Sequence, residues 1–155
     1  MELITDNFVP ALCARISTSS STIVLCFYSA SAPLKQHTKA FKQLWSTLLE
    51  ANSRGCKIRL LFDHHLTSSA FSQHVTKQIL SFRELPFKVR FITNKKKVHS
   101  KFAVFDSEWF YIGSHNLTPS GTSINFETGI TARDVPISRS LLKLFEFHWE
   151  EAHEC

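Results

Sequence analysis

Val98-His99-Ser100-Lys101-Phe102-Ala103-Val104-Phe105-Asp106, with Gly113-Ser114-His115-Asn116 shortly after it, is the stretch from which the rest of the chain reads. His99 and Lys101 are two apart in an apolar, strand-like run, so alternation along a strand sends both to one face. Trp109-Phe110-Tyr111-Ile112 forms the next strand-like run, and the turn falls near Asp106-Ser107-Glu108. A two-residue turn at Ser107-Glu108 predicts His99 opposite Asn116 and Lys101 opposite Ser114, all four on one face of a hairpin. A turn one residue longer sends these pairs to opposite faces. An imidazole, an ammonium, a hydroxyl and an amide on one surface suit a phosphate ester, whose oxygens match cationic and neutral donors.

Working outward, Thr22 to Tyr28 is a continuously apolar run that predicts a buried strand, and Lys57 to Asp63 predicts another. Helices are expected over 6–18, with Asp6 as a candidate N-cap, over Gln36 to Ser53, over Ser69 to Arg83 and over Pro136 to Ala152. Leu44, Trp45, Leu48 and Leu49 belong to the apolar face of the second, Leu141, Leu144, Phe145 and Trp149 to that of the last. Gly55 suits the residue just past a helix end. Pro86 to Ile92 alternates apolar and basic residues, so Lys88 and Arg90 share a face of a half-exposed strand, a candidate face for substrate. Pro119 to Ser123 reads as a polar loop, and Glu127 to Thr131 as a short strand carrying Glu127. Strands alternating with helices give an α/β layered domain, a mixed β-sheet flanked by helices.

The 155 residues, 43% hydrophobic with 14 Phe, suit one globular domain over 1–155. No apolar run approaches the ~18 residues that span a bilayer, so no membrane partner is expected. The N-terminus lacks a signal peptide's basic flank and apolar core, so a cytoplasmic protein, or one with a trimmed leader, is expected. Cys13, Cys26, Cys56 and Cys155 lack CxxC spacing, and Cys26 and Cys56 read as buried thiols of a reducing compartment. His64-His65 point to opposite faces of a strand and have no second cluster, so no metal and no cofactor are assigned. The net charge of +5 is uneven: residues 35–101 carry 14 Lys or Arg against three acids, residues 102–155 three against eight. The basic middle ends at the motif with Lys95-Lys96-Lys97, a candidate hold on a polyanion together with Lys88 and Arg90.

His99-x-Lys101, Asp106 and Gly113-Ser114-x-Asn116, with Glu127 further on, resemble the HKD signature of the phospholipase D superfamily. The unit Arg54-Gly55-x-Lys57-Ile58-Arg59-Leu60-Leu61-x-Asp63 resembles the first half of that fold. The resemblance implies a phospholipase D-like layered domain and a metal-independent phosphodiesterase. In it His99 attacks phosphorus to form a phosphohistidine, and Lys101 and Asn116 hold the non-bridging oxygens. A second motif histidine protonates the leaving oxygen. Two near-neutral imidazoles can divide base and acid roles, and a covalent intermediate splits a hard displacement in two. Ser114 joins this set. Glu127 is the candidate to fix the imidazole tautomer, and Asp106, at the turn, suits a supporting role.

Such a site takes two copies of the full signature, His-x-Lys with the spaced Asp and Gly-Ser-x-Asn, and this chain has one. A symmetric homodimer supplies the second. Small single-motif members, the Nuc-like endonucleases, resemble this chain in length and plan, which favours nucleic acid, DNA or RNA, as substrate. Two other functions fit the class: a nucleic-acid-binding module with an unused site, and a phospholipase or phosphatidyl transferase. The latter calls for a membrane-facing apolar surface, and no segment reads as one.

Overall fold

A computed structural model describes residues 1–33, 38–63, 80–92 and 97–155. Among them, eight strands form one sheet: β1 (Glu2–Ile4), β2 (Thr22–Phe27), β3 (Lys57–Asp63), β4 (Lys88–Ile92), β5 (Lys101–Phe105), β6 (Trp109–Gly113), β7 (Gly129–Arg133) and β8 (His153–Glu154). Their order is β1-β7-β6-β5-β2-β3-β4-β8. β2, β3 and β4 are parallel, and the remaining pairings are antiparallel. The central strands are apolar on both faces because helices cover both.

On one face lie α1 (Phe8–Thr18) and α2 (Lys39–Ser53), burying Phe8, Leu12, Ile16, Phe41, Leu44, Trp45 and Leu48 against Leu25, Phe27, Ala103 and Phe105. After the short α3 (Pro119–Ser123), α4 (Val135–Glu150) covers the other face, burying Phe145 and Trp149 against Val24, Cys26, Leu61, Phe102 and Val104. The chain is thus a helix–sheet–helix α/β sandwich with a mixed sheet.

Caps set the helix boundaries. Thr38 caps α2 by accepting the Phe41 N–H, so the expected start at Gln36 moves to Lys39. Asp134 caps α4 through the Ile137 N–H. α1 starts after Asn7, which makes no side-chain cap, so Asp6 does not cap it. Gly55, at φ 97°, is the left-handed residue past α2. Residues 80–83 are helical; the rest of the helix expected over Ser69 to Arg83, and His64-His65, lie outside the described residues. Pro119 to Ser123 is helical, not a loop, because Thr118 caps it. Leu49 and Leu144 each stay 39% exposed, at the margins of their helices' apolar stripes. The edge strands β1 and β8 carry too little pattern to be read from sequence. Cys13, Cys26 and Cys56 are free and buried, and burial pushes the Cys26 thiol up to about 12. Among the described residues no helix is long and apolar enough to cross a membrane.

Candidate active site

β5 runs antiparallel to β2 with Lys101 level with Phe27, so it begins where the parallel strands end. Four residues outside any helix or strand, 97–100, lead into it. Val98 is buried, and its N–H donates to Asp63 Oδ2 at 2.7 Å, tying this strap to the end of β3. His99 is exposed, its ring 4.5 Å from the Tyr28 ring at 52°. Lys101 is buried, at 7% exposure, and its ammonium turns back to the strap. Nζ donates to the His99 carbonyl at 2.9 Å and lies 3.2 and 3.4 Å from the two imidazole nitrogens. It also sits 5.4 Å from the centre of the Tyr28 ring. Desolvation lowers the Lys101 pKa, with the Glu127 charge opposing it. An ammonium partly stripped of water gains from a phosphate oxygen that replaces it.

The hairpin is one residue longer than the two-residue turn. Phe105 pairs with Trp109, leaving Asp106, Ser107 and Glu108 between the strands. Lys101 therefore falls level with Gly113, and the expected pairings of His99 with Asn116 and Lys101 with Ser114 do not form. Asp106 sets this register. Its carboxylate accepts the N–H groups of Ser20, Ser21 and Thr22 and the Ser21 hydroxyl, at 2.8–2.9 Å. Asp106 and Ser107 take φ of 52° and 60° to allow this. Burial would raise the carboxyl pKa, and those four hydrogen bonds outweigh it, leaving it below the ordinary value. Asp106 thus lies at the far end of β5 from Lys101, about 15 Å along the strand.

Ser114 and Asn116 reach the site by a different route. β6 ends at Gly113, and Ser114 pairs with Thr128 beyond the sheet: its N–H donates to the Thr128 carbonyl at 2.8 Å, and its Oγ accepts the Thr128 N–H at 3.0 Å. The Ser114 Oγ–H donates to the Thr128 carbonyl at 3.3 Å; the nearby Ser114 hydroxyl is also the main reason that the Glu127 pKa is lowered, with Asn125 and the charges of His115 and Lys101 adding to it. Glu127 precedes β7 instead of lying within it, and Asn125 Nδ2 donates to it at 3.2 Å. Asn116 accepts the Ser29 N–H on Oδ1 at 3.2 Å, which leaves its NH₂ as the outward donor. Backbone bonds from Leu117 N–H to Ser29 and from Ser31 N–H to Leu117 join this segment to the end of β2.

The structure thus gathers His99, Lys101, Ser114, Asn116 and Glu127 around the end of β2 and places Asp106 elsewhere. Arg90 is directed away from the site: its guanidinium donates to the Trp149 carbonyl at 2.9 Å and to Glu154 at 3.2 Å, over the Trp149 ring. Lys88 opens β4, level with Arg59 of β3, at the Asp106 end of the sheet. A shared face for Lys88 and Arg90 therefore does not meet His99. Lys97 is exposed at the start of the strap; Lys95 and Lys96 lie outside the described residues.

Three positioning residues were missed. Tyr28, read as the last residue of a strand, lies against His99. Asp63 holds the strap, and its signal was a carboxylate ending a buried strand. Gly121 lies against Asn116: a Cβ there would meet the Asn116 carbonyl oxygen at 2.7 Å and its nitrogen at 2.9 Å. His115 is a core residue. Its Nε2–H donates to the Thr5 carbonyl at 3.0 Å, and Nδ1 accepts the Tyr111 hydroxyl at 2.7 Å. It stacks on Phe8, and burial lowers its pKa. Among the described residues no group of three His, Cys, Asp or Glu is arranged to hold a metal ion.

The family described as cardiolipin synthase, PLD-like domain, matches residues 12–149, which takes in the strap, the hairpin and Glu127. The chain belongs to the phospholipase D superfamily. Among its relatives, the mitochondrial cardiolipin hydrolase of Xenopus tropicalis is 26% identical over 147 residues, 95% of this chain. The chain spans 63% of that relative's length. Among solved structures, the phospholipase D family member Nuc from Salmonella typhimurium superposes with a TM-score of 0.79 at 16% identity, covering 99% of this chain and 96% of that one. NucT from Helicobacter pylori superposes at 0.77 with 17% identity, covering 99% and 98%. The phospholipase D-like sandwich accounts for the whole described sheet and its helices.

Proposed function

We propose that this chain is a metal-independent phosphodiesterase that cleaves nucleic acid, with one active site completed across a homodimer. The observation that carries the reading is the convergence of His99, Lys101, Asn116, Ser114 and Glu127 on the end of β2. His99 attacks phosphorus and the P–O bond to the leaving group breaks. The partner subunit's His99 gives the leaving oxygen its proton, then takes one from the water that hydrolyses the phosphohistidine. Lys101 and the outward Asn116 NH₂ hold the non-bridging oxygens where charge builds up.

The second histidine is assigned to a partner copy because the full signature occurs once in the sequence, and its other histidine, His115, is buried with both nitrogens engaged. Nucleic acid is favoured by the basic stretch over 35–101, by exposed Lys97 at the start of the strap and by the resemblance to the Nuc-like branch. The name of the curated relative favours a second reading, in which the diester is cardiolipin. Both substrates place one phosphodiester at the same groups, so substrate assays separate them. In excess chelator the protein is expected to cleave single- or double-stranded DNA or RNA faster than cardiolipin vesicles. Activity lost in chelator and restored by magnesium removes the metal-independent mechanism. Cleavage of cardiolipin alone transfers the site to the lipid reading, and binding of nucleic acid without cleavage reduces it to a binding module.

A further inference from the structure

Beside His99 a cleft of about 530 Å³ opens between the strap and α4. Lys97 and His99 line one wall; Leu144, Phe147, His148 and Glu151 line the other. Phe147 is 61% exposed, and its ring meets the His148 ring edge-on at 5.3 Å. Neither Phe147 nor Leu144 belongs to the core that α4 builds with Phe145 and Trp149. This wall, with the largely exposed Phe147 ring and continuous with the proposed nucleophile, is placed to receive part of a substrate.

We propose that this cleft is a subsite for a nucleobase next to the scissile phosphate, with the base stacked on Phe147. The inference rests on the nucleic-acid reading above and specifies its substrate as a single strand with an unstacked base. Three features select this occupant. The volume lies within the range of about 300–1,000 Å³ typical of small-ligand sites. The Glu151 carboxylate on the far wall disfavours a phosphate deeper in the cleft, so the uncharged heterocycle points inward. Lys97 stands at the strap, where the phosphate backbone passes to Lys101. Stacking on an exposed aromatic ring is sequence-tolerant, because every base presents a π-face.

The test compares a single-stranded 12-mer with the same backbone carrying abasic residues, using Phe147→Ala and Phe147→Trp in the full chain. The proposal expects wild type to prefer the base-bearing strand. Phe147→Ala should lower kcat/KM on it about tenfold, mostly through KM, in keeping with one lost stack. It should leave the abasic strand unchanged, and Phe147→Trp should restore the preference. An equal loss on both strands, or no loss on either, overturns the subsite and leaves the nuclease reading standing. A wild type that cleaves neither strand overturns the nuclease reading, and the subsite with it. A loss confined to cardiolipin vesicles would make the cleft an acyl-chain site. Dissociation of a wild-type dimer by Phe147→Ala, seen by light scattering, would make it a subunit contact. Either of these two results overturns the proposal.

Discussion

Asp106 and Asn116 show how differently two polar residues of one signature are used. The Asp106 carboxylate makes four hydrogen bonds at the start of β2, so Asp106→Ala leaves three backbone N–H groups without their acceptor. It also strains a left-handed position that Asp tolerates better than Ala. The variant should lose about 1–3 kcal/mol in urea unfolding, while the folded fraction keeps its catalytic rate. Because the native pKa of Asp106 is depressed, its stabilisation is full above the ordinary value of 3.8 and is lost as pH falls through the folded-state value. Asp106→Asn should therefore show a shallower fall in stability below that value than wild type. A rate loss with unchanged stability would return Asp106 to the chemistry. At Asn116 the pressure comes from a neighbour. Gly121→Ala places a methyl 2.7 Å from the Asn116 backbone carbonyl oxygen, so the Asn116 backbone must move and carry its side-chain amide off the Ser29 N–H. We expect at least a tenfold drop in kcat with a stability cost of about 1–3 kcal/mol. Unchanged kinetics would show that the Asn116 amide is not held by this contact.

At the scale of elements, the strap that carries exposed His99 depends on β3. The hydrogen bond from Val98 N–H to Asp63 crosses from one chain segment to another just before His99. Asp63→Ala removes that acceptor; Asp63→Asn keeps an oxygen in place. The alanine variant should lose tenfold or more in activity and the asparagine variant much less, both measured against a fold checked by circular dichroism. Equal losses would point to the charge of Asp63 instead of its hold on the strap. Most elements were legible because their signals are local: the apolar runs of β2 and β3, the helical stripe of α2, and Gly55 after it. The hairpin was misread by one residue because its register is set from outside, by the N–H groups of Ser20 to Thr22 clasping Asp106. Arg90 was misplaced for a similar reason, since the Trp149 carbonyl that fixes it is 59 residues away. The residues that gather at the site were readable by type and spacing. The contacts that aim them, from Tyr28, Asp63 and Gly121, are long-range or steric and leave no periodic trace.

For the whole molecule, the central matter is how many chains make one site. The sandwich presents one exposed imidazole in the strap, next to a buried ammonium, and the full His-x-Lys, Asp, Gly-Ser-x-Asn signature occurs once in the sequence. Its basic stretch over 35–101 and acidic stretch over 102–155 meet at this strap. If catalysis needs His99 from both subunits, a mixed dimer of wild type and His99→Ala holds only one of the two imidazoles and is inactive. Equal amounts of the two chains, unfolded together, refolded and paired at random, yield about one quarter wild-type dimers. Activity per total protein, compared with wild type treated alike, is the most direct measurement of this account, and it should fall to about a quarter. A value near one half would contradict the shared site and assign the acid role to the same chain, where His148 lines the cleft with His99. An active monomer in solution would contradict it as well.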